Sequence, residues 1–557
     1  MNFKITSKTS LLMFFVCQFS YGQKNFKYDL VIYGGTSAGI AAAIQGARMG
    51  KNIVLIEPTK RIGGLTTGGL GQTDIGNKQA IGGISREFYQ NVKKYYQNPE
   101  NWKFQKRESY RDGGQTKTGP NEDAMWTFEP SAALKIVKEM LGKEKNITLV
   151  YEQRLNRKNG VKKLKGIIQS IQMESGQIYV GKMFIDATYE GDLMAATGVS
   201  YTIGRESNDK YGESLNGVQA NDTSMTLRKG RSANGLNHNF VAGVDPYIIK
   251  GNPSSGLLPF IEPNHPPKDG TGDARIQAYC FRMCLTDYDE NRIPFEKPSS
   301  YREQDYELLF RNYEAGEKSV PWINSTMPNR KSDTNNSRGF STDFIGQNYA
   351  YPEASYAERK RIFDNHRNYQ IGLMWSLAYH PRIPEFVRNQ VSKWGMSKDE
   401  FEEGQGWQSQ LYVREARRMV SSYVMTQQNC EGFTVADDPV GLAAYGMDSH
   451  NTRRYVTKEG FIRNEGNVEA HVKGPFAISY QSIIPKKEEC RNLLIPVCLS
   501  ATHIAYGSIR MEPVFMVLGQ SAATAAVLAI ENKVSPQQLP YEMLRQVMLK
   551  DKQVLEN

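Results

Sequence analysis

The sequence predicts an α/β protein whose Rossmann-like nucleotide-binding domain is split by a large insertion, and three observations predict it. Near the start, the apolar run DLVIY (Asp29 to Tyr33) leads at once into GGTSAG (Gly34 to Gly39), a helical stretch up to Gly50, and a second apolar run, IVLIE (Ile53 to Glu57). Near the end, NLLIPVCL (Asn492 to Leu499) reads as a buried strand and Pro513 to Ile530 as a helix with proline in its first turn. Between these ends, about 270 residues carry neither pattern. A chain of 557 residues is long enough for three or four domains, or for fewer large ones with insertions. The expected division is a leader at 1–22, the first part of the nucleotide-binding domain at 23–200, an inserted substrate or cap domain at 201–474, and the second part at 475–557.

Each element of the first unit has a physical reason. Gly34 permits the sharp turn out of the first strand, Gly39 lets helix and strand approach closely, and the helix N-terminus offers free N–H groups and a positive dipole end to a pyrophosphate. Gly35, Ser37 and Ala38 complete that turn. Glu57 closes the second strand, placed to accept hydrogen bonds from ribose hydroxyls, with Pro58 after it. The middle glycine of the usual GxGxxG pattern is Thr36, so the backbone is expected to approach the phosphates less closely there, with the hydroxyl as a substitute donor. A helix at Pro130 to Leu141 and paired strands between Ile147 and Val180 should complete this part. The insertion begins loop-rich (Gly251 to Asp273) and is expected to be more helical from Pro352 to Thr426.

Residues 1–22 follow a secretory pattern: basic start, apolar stretch from Leu11 to Phe19, then Ser20 and Gly22 before Gln23. Periplasmic or secreted localisation is expected, without a lipid or membrane anchor. With no twin-arginine pair in the leader, the chain is expected to cross unfolded and take up its cofactor outside the cytoplasm. The net charge of +10, or +8 once Lys4 and Lys8 leave with the leader, is spread without a dense basic block, so no nucleic-acid partner is expected. Hydrophobic residues at 39% and charged residues at 23% describe a folding, globular chain. Beyond Cys17, five scattered cysteines with no CxxC imply neither a disulfide framework nor an iron–sulfur cluster. Cys280 and Cys284 are read as small buried apolar groups, neighbours on one helix face.

A second glycine-rich stretch, RIGGLTTGGLG (Arg61 to Gly71), follows the acid and suits an extended flavin nucleotide, which favours FAD over NAD. It brings Arg61, Gly63, Gly64 and Leu65 into the cofactor site. Together with DATYEGD (Asp186 to Asp192) and SIRMEPVFMVLGQSAATAA (Ser508 to Ala526), these motifs resemble the FAD-dependent oxidoreductases of glutathione-reductase-like fold. More narrowly, the chain is similar to exported members often labelled xanthan lyases and grouped with proteins like the flavin-bearing component of heterodisulfide reductase. IQAYCFRMCLT (Ile276 to Thr286), LYVREARRM (Leu411 to Met419) and LSATHIAYGSIRMEP (Leu499 to Pro513) extend the likeness over nearly all of the chain after the leader. The resemblance implies FAD, a redox activity, and contributions to the cofactor site from Asp186, Ala187, Thr188, Arg510, Glu512 and Pro513. In this fold class the last helix points at the flavin pyrimidine, where its dipole stabilises negative charge.

Disulfide reduction is excluded, and neither NAD(P)H as the reductant nor covalent flavin attachment is expected. Thr66 and Thr67 stand where a disulfide reductase of this fold carries its cysteine pair, no second dinucleotide unit is present for NAD(P)H, and the first histidine, His238, comes too late for covalent flavin attachment near the second glycine loop. No metal is expected. Hydride transfer at flavin N5 from an alcohol needs a base, and histidine is the natural one. Of seven histidines, His503, between the last strand and helix, and His450 in GMDSH are the acid/base candidates; His238, His265, His366, His380 and His471 take solvated or capping roles by default. Arg414, Arg417 and Arg418 have the spacing of one helix face. Arg414 and Arg417 are candidates to clamp a substrate carboxylate or sulfate, with internal ion pairs, for example to Glu415, as the plainer reading. Arg510 and Glu512 read as a structural pair or as flavin-positioning residues. The function expected is oxidation or reduction of a small polar substrate, a sugar or uronic-acid fragment, with an electron partner that the sequence does not name. A lyase on acidic polysaccharide with redox-neutral FAD, or a non-catalytic carbohydrate-binding flavoprotein, are the alternatives.

Overall fold

The computed structural model describes residues 25–119, 121–220 and 238–556, so the leader pattern lies outside the described residues. Strand β1 (Asn25–Tyr33) leads into helix α1 (Ser37–Arg48) and strand β2 (Ile53–Ile56). Residues 30–33 and the whole of β2 are buried on both faces, which is why they read as continuous apolar runs rather than alternating ones. Helix α1 ends at Met49, and Gly50 follows at φ +78°. The second glycine stretch forms one turn, α2 (Gly64–Thr67), followed by α3 (Gly83–Gln97) and by α4 (Pro130–Gly142), which starts on its proline. Strands β3 (Ile147–Val150), β4 (Val161–Leu164), β5 (Ile167–Gln172) and β6 (Ile178–Asp186) complete this part.

In the insertion, β7 (Met283–Thr286), β8 (Arg292–Ile293), β9 (Trp322–Met327), β10 (Lys331–Asn336) and β11 (Gly395–Ser397) form an antiparallel sheet of order β9-β10-β7-β11-β8. The long helix α5 (Tyr356–Tyr379) is capped by Ser355. The chain returns through β12 (Leu493–Leu494), α6 (His503–Ile509) and α7 (Glu512–Asn532). The first sheet runs β3-β2-β1-β6-β5-β4, with β12 parallel to the far end of β6. β3, β2, β1, β6 and β12 are mutually parallel, and β4 and β5 form an antiparallel edge. Helix α7 is apolar and long enough to cross a bilayer, but 94% of its most apolar window is buried here against the protein. It lies close on α1: a side-chain carbon at Gly519 would collide with the Ala38 carbonyl.

Three local expectations change. Only Leu493 and Leu494 of NLLIPVCL join the ladder, because Pro496 has no N–H to give it, although the run stays buried to Leu499. The later insertion is more helical than the stretch before it, as expected, through α5 and Glu385–Val391. Residues 411–426 are extended or irregular, so Arg414, Arg417 and Arg418 share no helix face and reach different partners. Cys284 sits on β7 and Cys280 just before it, not on a helix, but both are buried and burial pushes both thiols up.

Candidate active site

A cavity of about 320 Å³ opens over the C-terminal ends of β1, β2 and β6, where parallel sheets bind their ligands. Gly34, Thr36, Glu57, Pro58, Arg61, Gly64 and Thr188 line it. Gly34 has φ +104°, and a Cβ there would stand 2.7 Å from Thr188 N, so only glycine fits. A Cβ at Gly39 would overlap the Gly34 carbonyl, which is the close helix–strand approach in atomic terms. Gly35 N and Thr59 N donate to the two Glu57 oxygens at 3.0 and 2.7 Å, while burial pushes that carboxyl up to about 7. Gly63 N donates to Gly35 O at 2.7 Å, tying the second glycine loop to the first.

Thr36 departs from expectation. Its hydroxyl donates to Ala187 O at 2.7 Å and accepts from Gly39 N at 3.4 Å, capping α1. The proton is spent inside the fold and does not serve as a phosphate donor. Asp186 is likewise internal: it accepts from Thr188 N, Thr188 Oγ1 and Met194 N at 2.7 to 3.0 Å, and burial pushes it up to about 6. Leu65 N donates to the Tyr189 hydroxyl, which donates to Glu512 Oε1 at 2.7 Å, and Thr66 Oγ1 donates to the other Glu512 oxygen. Pro513 O accepts from Ser85 Oγ at 2.9 Å. Arg510 and Glu512 therefore do not pair with each other.

Two observations show that these residues fit FAD. Ser37 Oγ, buried at the start of α1, lies beside Glu512 without a hydrogen bond of full geometry, at the helix N-terminus that would meet a pyrophosphate. The cavity wall also carries Arg61, Arg154, Arg359 and Lys360, of which Arg61 faces Glu403 at 3.6 Å, Arg359 is held by Asp192 and Lys360 by Asp364, while Arg154 has no salt bridge among the described residues. Asp192 is gripped by Arg359, Arg157 and Arg417 at 2.6 to 3.2 Å. The wall that sequence reasoning missed comes from α5, whose Tyr356, Arg359, Lys360 and Phe363 occupy one face at i, i+3, i+4 and i+7. That spacing was visible, but nothing local said which cavity it faces. Arg417 stands behind this wall, also bonded to Glu353 and Glu190 O.

Beyond the second glycine loop lies a charged cluster. Gly68 abuts Gln410 and Gly69 abuts the Arg282 carbonyl, while Leu411 lines the cavity and the next residue, Tyr412, belongs to the cluster. Arg282 is held bidentate by Asp333 at 2.7 Å and faces Asp74 at 3.6 Å. Arg510 donates to Tyr412 OH at 2.8 Å, Gln277 Oε1 at 3.1 Å and Asp448 Oδ2 at 3.2 Å. The Tyr412 ring lies between Arg414, 4.6 Å away, and Arg510, 5.7 Å away. His450 Nδ1 is 2.8 Å from Asp343 Oδ2 and its Nε2 is 3.4 Å from Asp448 Oδ2; Arg414 holds the other Asp343 oxygen at 2.9 Å. Burial opposes ionisation of Asp343 and Asp448, but Arg414 and His450 outweigh it and hold both below the usual carboxylate range. Burial instead raises Asp74. The side chains of Asp74, His450 and Asp448 are 20%, 11% and 22% accessible, so the cluster keeps free space on their side.

His503 is buried one shell deeper. Its Nδ1 is 2.9 Å from Glu415 Oε2 and its Nε2 is 2.9 Å from Ser449 Oγ, so both ring nitrogens are occupied. Glu415 Oε1 accepts from Gln277 N, and Gln277 Oε1 accepts from both His450 N and Arg510. His503 therefore supports His450 rather than facing the opening. His238, expected to be solvated or capping, lies 6.4 Å from the His450 ring. His366 is buried within α5, and burial holds it neutral, down to about 4; His380 is the α5 C-cap.

The parallel sheet, the glycine turn and the cavity at its strand ends define a Rossmann-like dinucleotide-binding enzyme fold. A family model described as FAD dependent oxidoreductase matches residues 29–548, and the chain belongs to that family. No curated protein matches it. Among solved structures it is similar to L-proline dehydrogenase from P. horikoshii (16% identity over 33% of this chain and 25% of that one, TM-score 0.17). It is also similar to L-amino acid deaminase from Proteus vulgaris (15% identity, 33% and 54%, TM-score 0.22) and to GidA from Aquifex aeolicus (16% identity, 33% and 34%, TM-score 0.21). The matched part thus spans from a quarter to about half the length of these structures.

Proposed function

We propose that this oxidoreductase is exported and transfers a hydride between flavin N5 and a small, neutral, polyhydroxylated substrate of the sugar class. Export rests on the leader pattern alone. The observation that carries the substrate reading is the charge balance of the cluster: Arg282, Arg414 and Arg510 are matched by Asp74, Asp333, Asp343 and Asp448. A clamp for a carboxylate or sulfate needs uncompensated cations, which favours a neutral sugar over a uronate and weighs against elimination on an acidic polysaccharide. Alternating carboxylates and guanidiniums suit hydroxyl groups, which both donate and accept.

Gly34, Glu57, Arg61, Gly64 and the start of α1 would hold FAD, which supplies the two-electron acceptor or donor when bound. His450 takes or returns the hydroxyl proton at Nε2. Asp343 fixes its ring through Nδ1, and Arg414 fixes Asp343 in turn. The 3.4 Å gap from Nε2 to Asp448 is long enough for a substrate hydroxyl to compete for that nitrogen. Gln277 Nε2 and Arg510 Nε are buried donors with no acceptor among the described residues, consistent with a ligand that brings oxygens. Anaerobic mixing of the flavinated protein with neutral sugars and with uronates tests the reading. Bleaching of the flavin absorbance by a neutral sugar is expected; bleaching by uronates alone, or by neither, refutes it.

A further inference from the structure

Three carboxylates of the charged cluster are held more than once. Asp333 accepts from Gly71 N, Gln72 N and two Arg282 nitrogens at 2.7 to 3.0 Å. Asp343 is shared by His450 and Arg414, and Asp448 accepts from Arg510 with His450 close by. Asp74 differs. Among the described residues it accepts one hydrogen bond, from Gln115 Nε2 to its Oδ1 at 3.0 Å. Its Oδ2 faces Arg282 Nη1 at 3.6 Å, beyond hydrogen-bonding reach. That nitrogen is buried without a hydrogen-bond partner, because the rest of its guanidinium is committed to Asp333. An ionised carboxylate has about four acceptor sites, so Asp74 keeps capacity to spare while its side chain stays 20% accessible.

Asp74 is nonetheless fixed in place. Gln115 Oε1 accepts from Ile75 N and Gly76 N at 3.1 and 3.0 Å, which orients the amide and leaves Nε2 for Asp74. Gln115 belongs to the connection between α3 and α4, whose described helices are three single 3₁₀ turns. Connections of this length are uncommon in compact domains and usually serve a function. On the other side of Asp74, a Cβ at Gly76 would stand 2.0 Å from Ala444 O, so the Asp74 loop is pressed against the segment that leads to Asp448 and His450. Burial raises the Asp74 carboxyl, Arg282 and Arg510 oppose the rise and Asp448 adds to it, so all three charges lie within electrostatic reach. Asp448 is in turn 3.4 Å from His450 Nε2. Asp74 and His450 therefore border one space, and an acceptor with spare sites beside an idle N–H suits a hydroxyl, which donates to the one and accepts from the other.

We propose that Asp74, positioned by Gln115 and Arg282, binds a second hydroxyl of the substrate, other than the one whose proton passes to His450, and so selects among sugars. This deepens the sugar-class reading and rests on it. The test is anaerobic stopped-flow reduction of the flavinated full chain by glucose, galactose and mannose, and by the monodeoxy analogues of whichever hexose bleaches the flavin. The sugar concentration at half the limiting rate reports binding separately from the rate itself. The analogue that lacks the reacting hydroxyl identifies itself by giving no reduction. Of the others, one is expected to bind the native protein about tenfold or more weakly than its parent, as the loss of a hydrogen bond to a charged group requires. In Asp74→Ala the parent and that analogue should bind nearly alike. Gln115→Ala should narrow the gap in the same direction with flavin content unchanged, and it carries the comparison if Asp74→Ala loses its flavin. A native protein that binds the parent and every reactive analogue equally overturns the inference and leaves hydride transfer from the sugar standing. Variants that keep the full discrimination, whether or not all sugars weaken together, overturn it too. No bleaching by any hexose refutes the sugar-class reading itself and this inference with it.

Discussion

Glu57 makes the cofactor site sensitive to pH, and the direction follows from its surroundings. Desolvation raises its carboxyl to about 7 although two backbone N–H groups favour the anion. Ribose hydroxyls donate to the ionised form, so FAD binding should draw on the fraction of Glu57 that is deprotonated. With the carboxyl near 7, going from pH 8 to pH 6 should weaken FAD binding about tenfold, and to pH 5 about a hundredfold, at 1.4 kcal/mol per factor of ten. The ligand-free fold should show the opposite trend. Its carboxyl is raised above the unfolded value, so stability is full below about 4.5 and falls as pH rises through 7, by about 3 kcal/mol at most. Titrating the deflavinated protein with FAD by fluorescence quenching at each pH measures the first trend; urea unfolding measures the second. Glu57→Gln should flatten both. Affinity that stays level from pH 8 to pH 6 in the native protein would refute the assignment of Glu57 as the ribose acceptor.

Two further outcomes are expected. His450→Gln should slow substrate-driven flavin reduction by about 10²–10⁴-fold with flavin content unchanged; an unaltered rate in stopped-flow measurements removes His450 from the proton-transfer role. Thr36→Ala should cost about 1 kcal/mol in urea unfolding, as the loss of a helix cap does, with little change in FAD affinity. A large affinity loss would mean that the hydroxyl contacts the phosphates after all.

What the sequence made legible was whatever depends on neighbours along the chain. The glycine turn, its strands, the start of α4 at Pro130 and the last helix follow from local spacing and sterics, and all four stand in the fold. The arginines of LYVREARRM did not follow from spacing, because helical periodicity there is coincidental: each guanidinium is satisfied by a distant acid, Asp343 for Arg414, Asp192 for Arg417 and Glu206 for Arg418. Such long-range pairs leave no mark in a local window. His503 is picked out by its place between the last strand and helix and His450 by the GMDSH segment, but only the tertiary fold separates the one at the opening from the one behind it.

The route of the chain sets a timetable for acquiring the pigment. β12 joins the sheet beside Phe184 only after the whole insertion has been made, and α7 then closes against α1. The cavity also lacks a side until α5 is in position. An amino-terminal fragment ending near residue 200 would therefore own the glycine fingerprint and still be colourless. Loading must be among the last steps of maturation, and a proteolytic nick between α5 and the main sheet should release the flavin before it melts the protein.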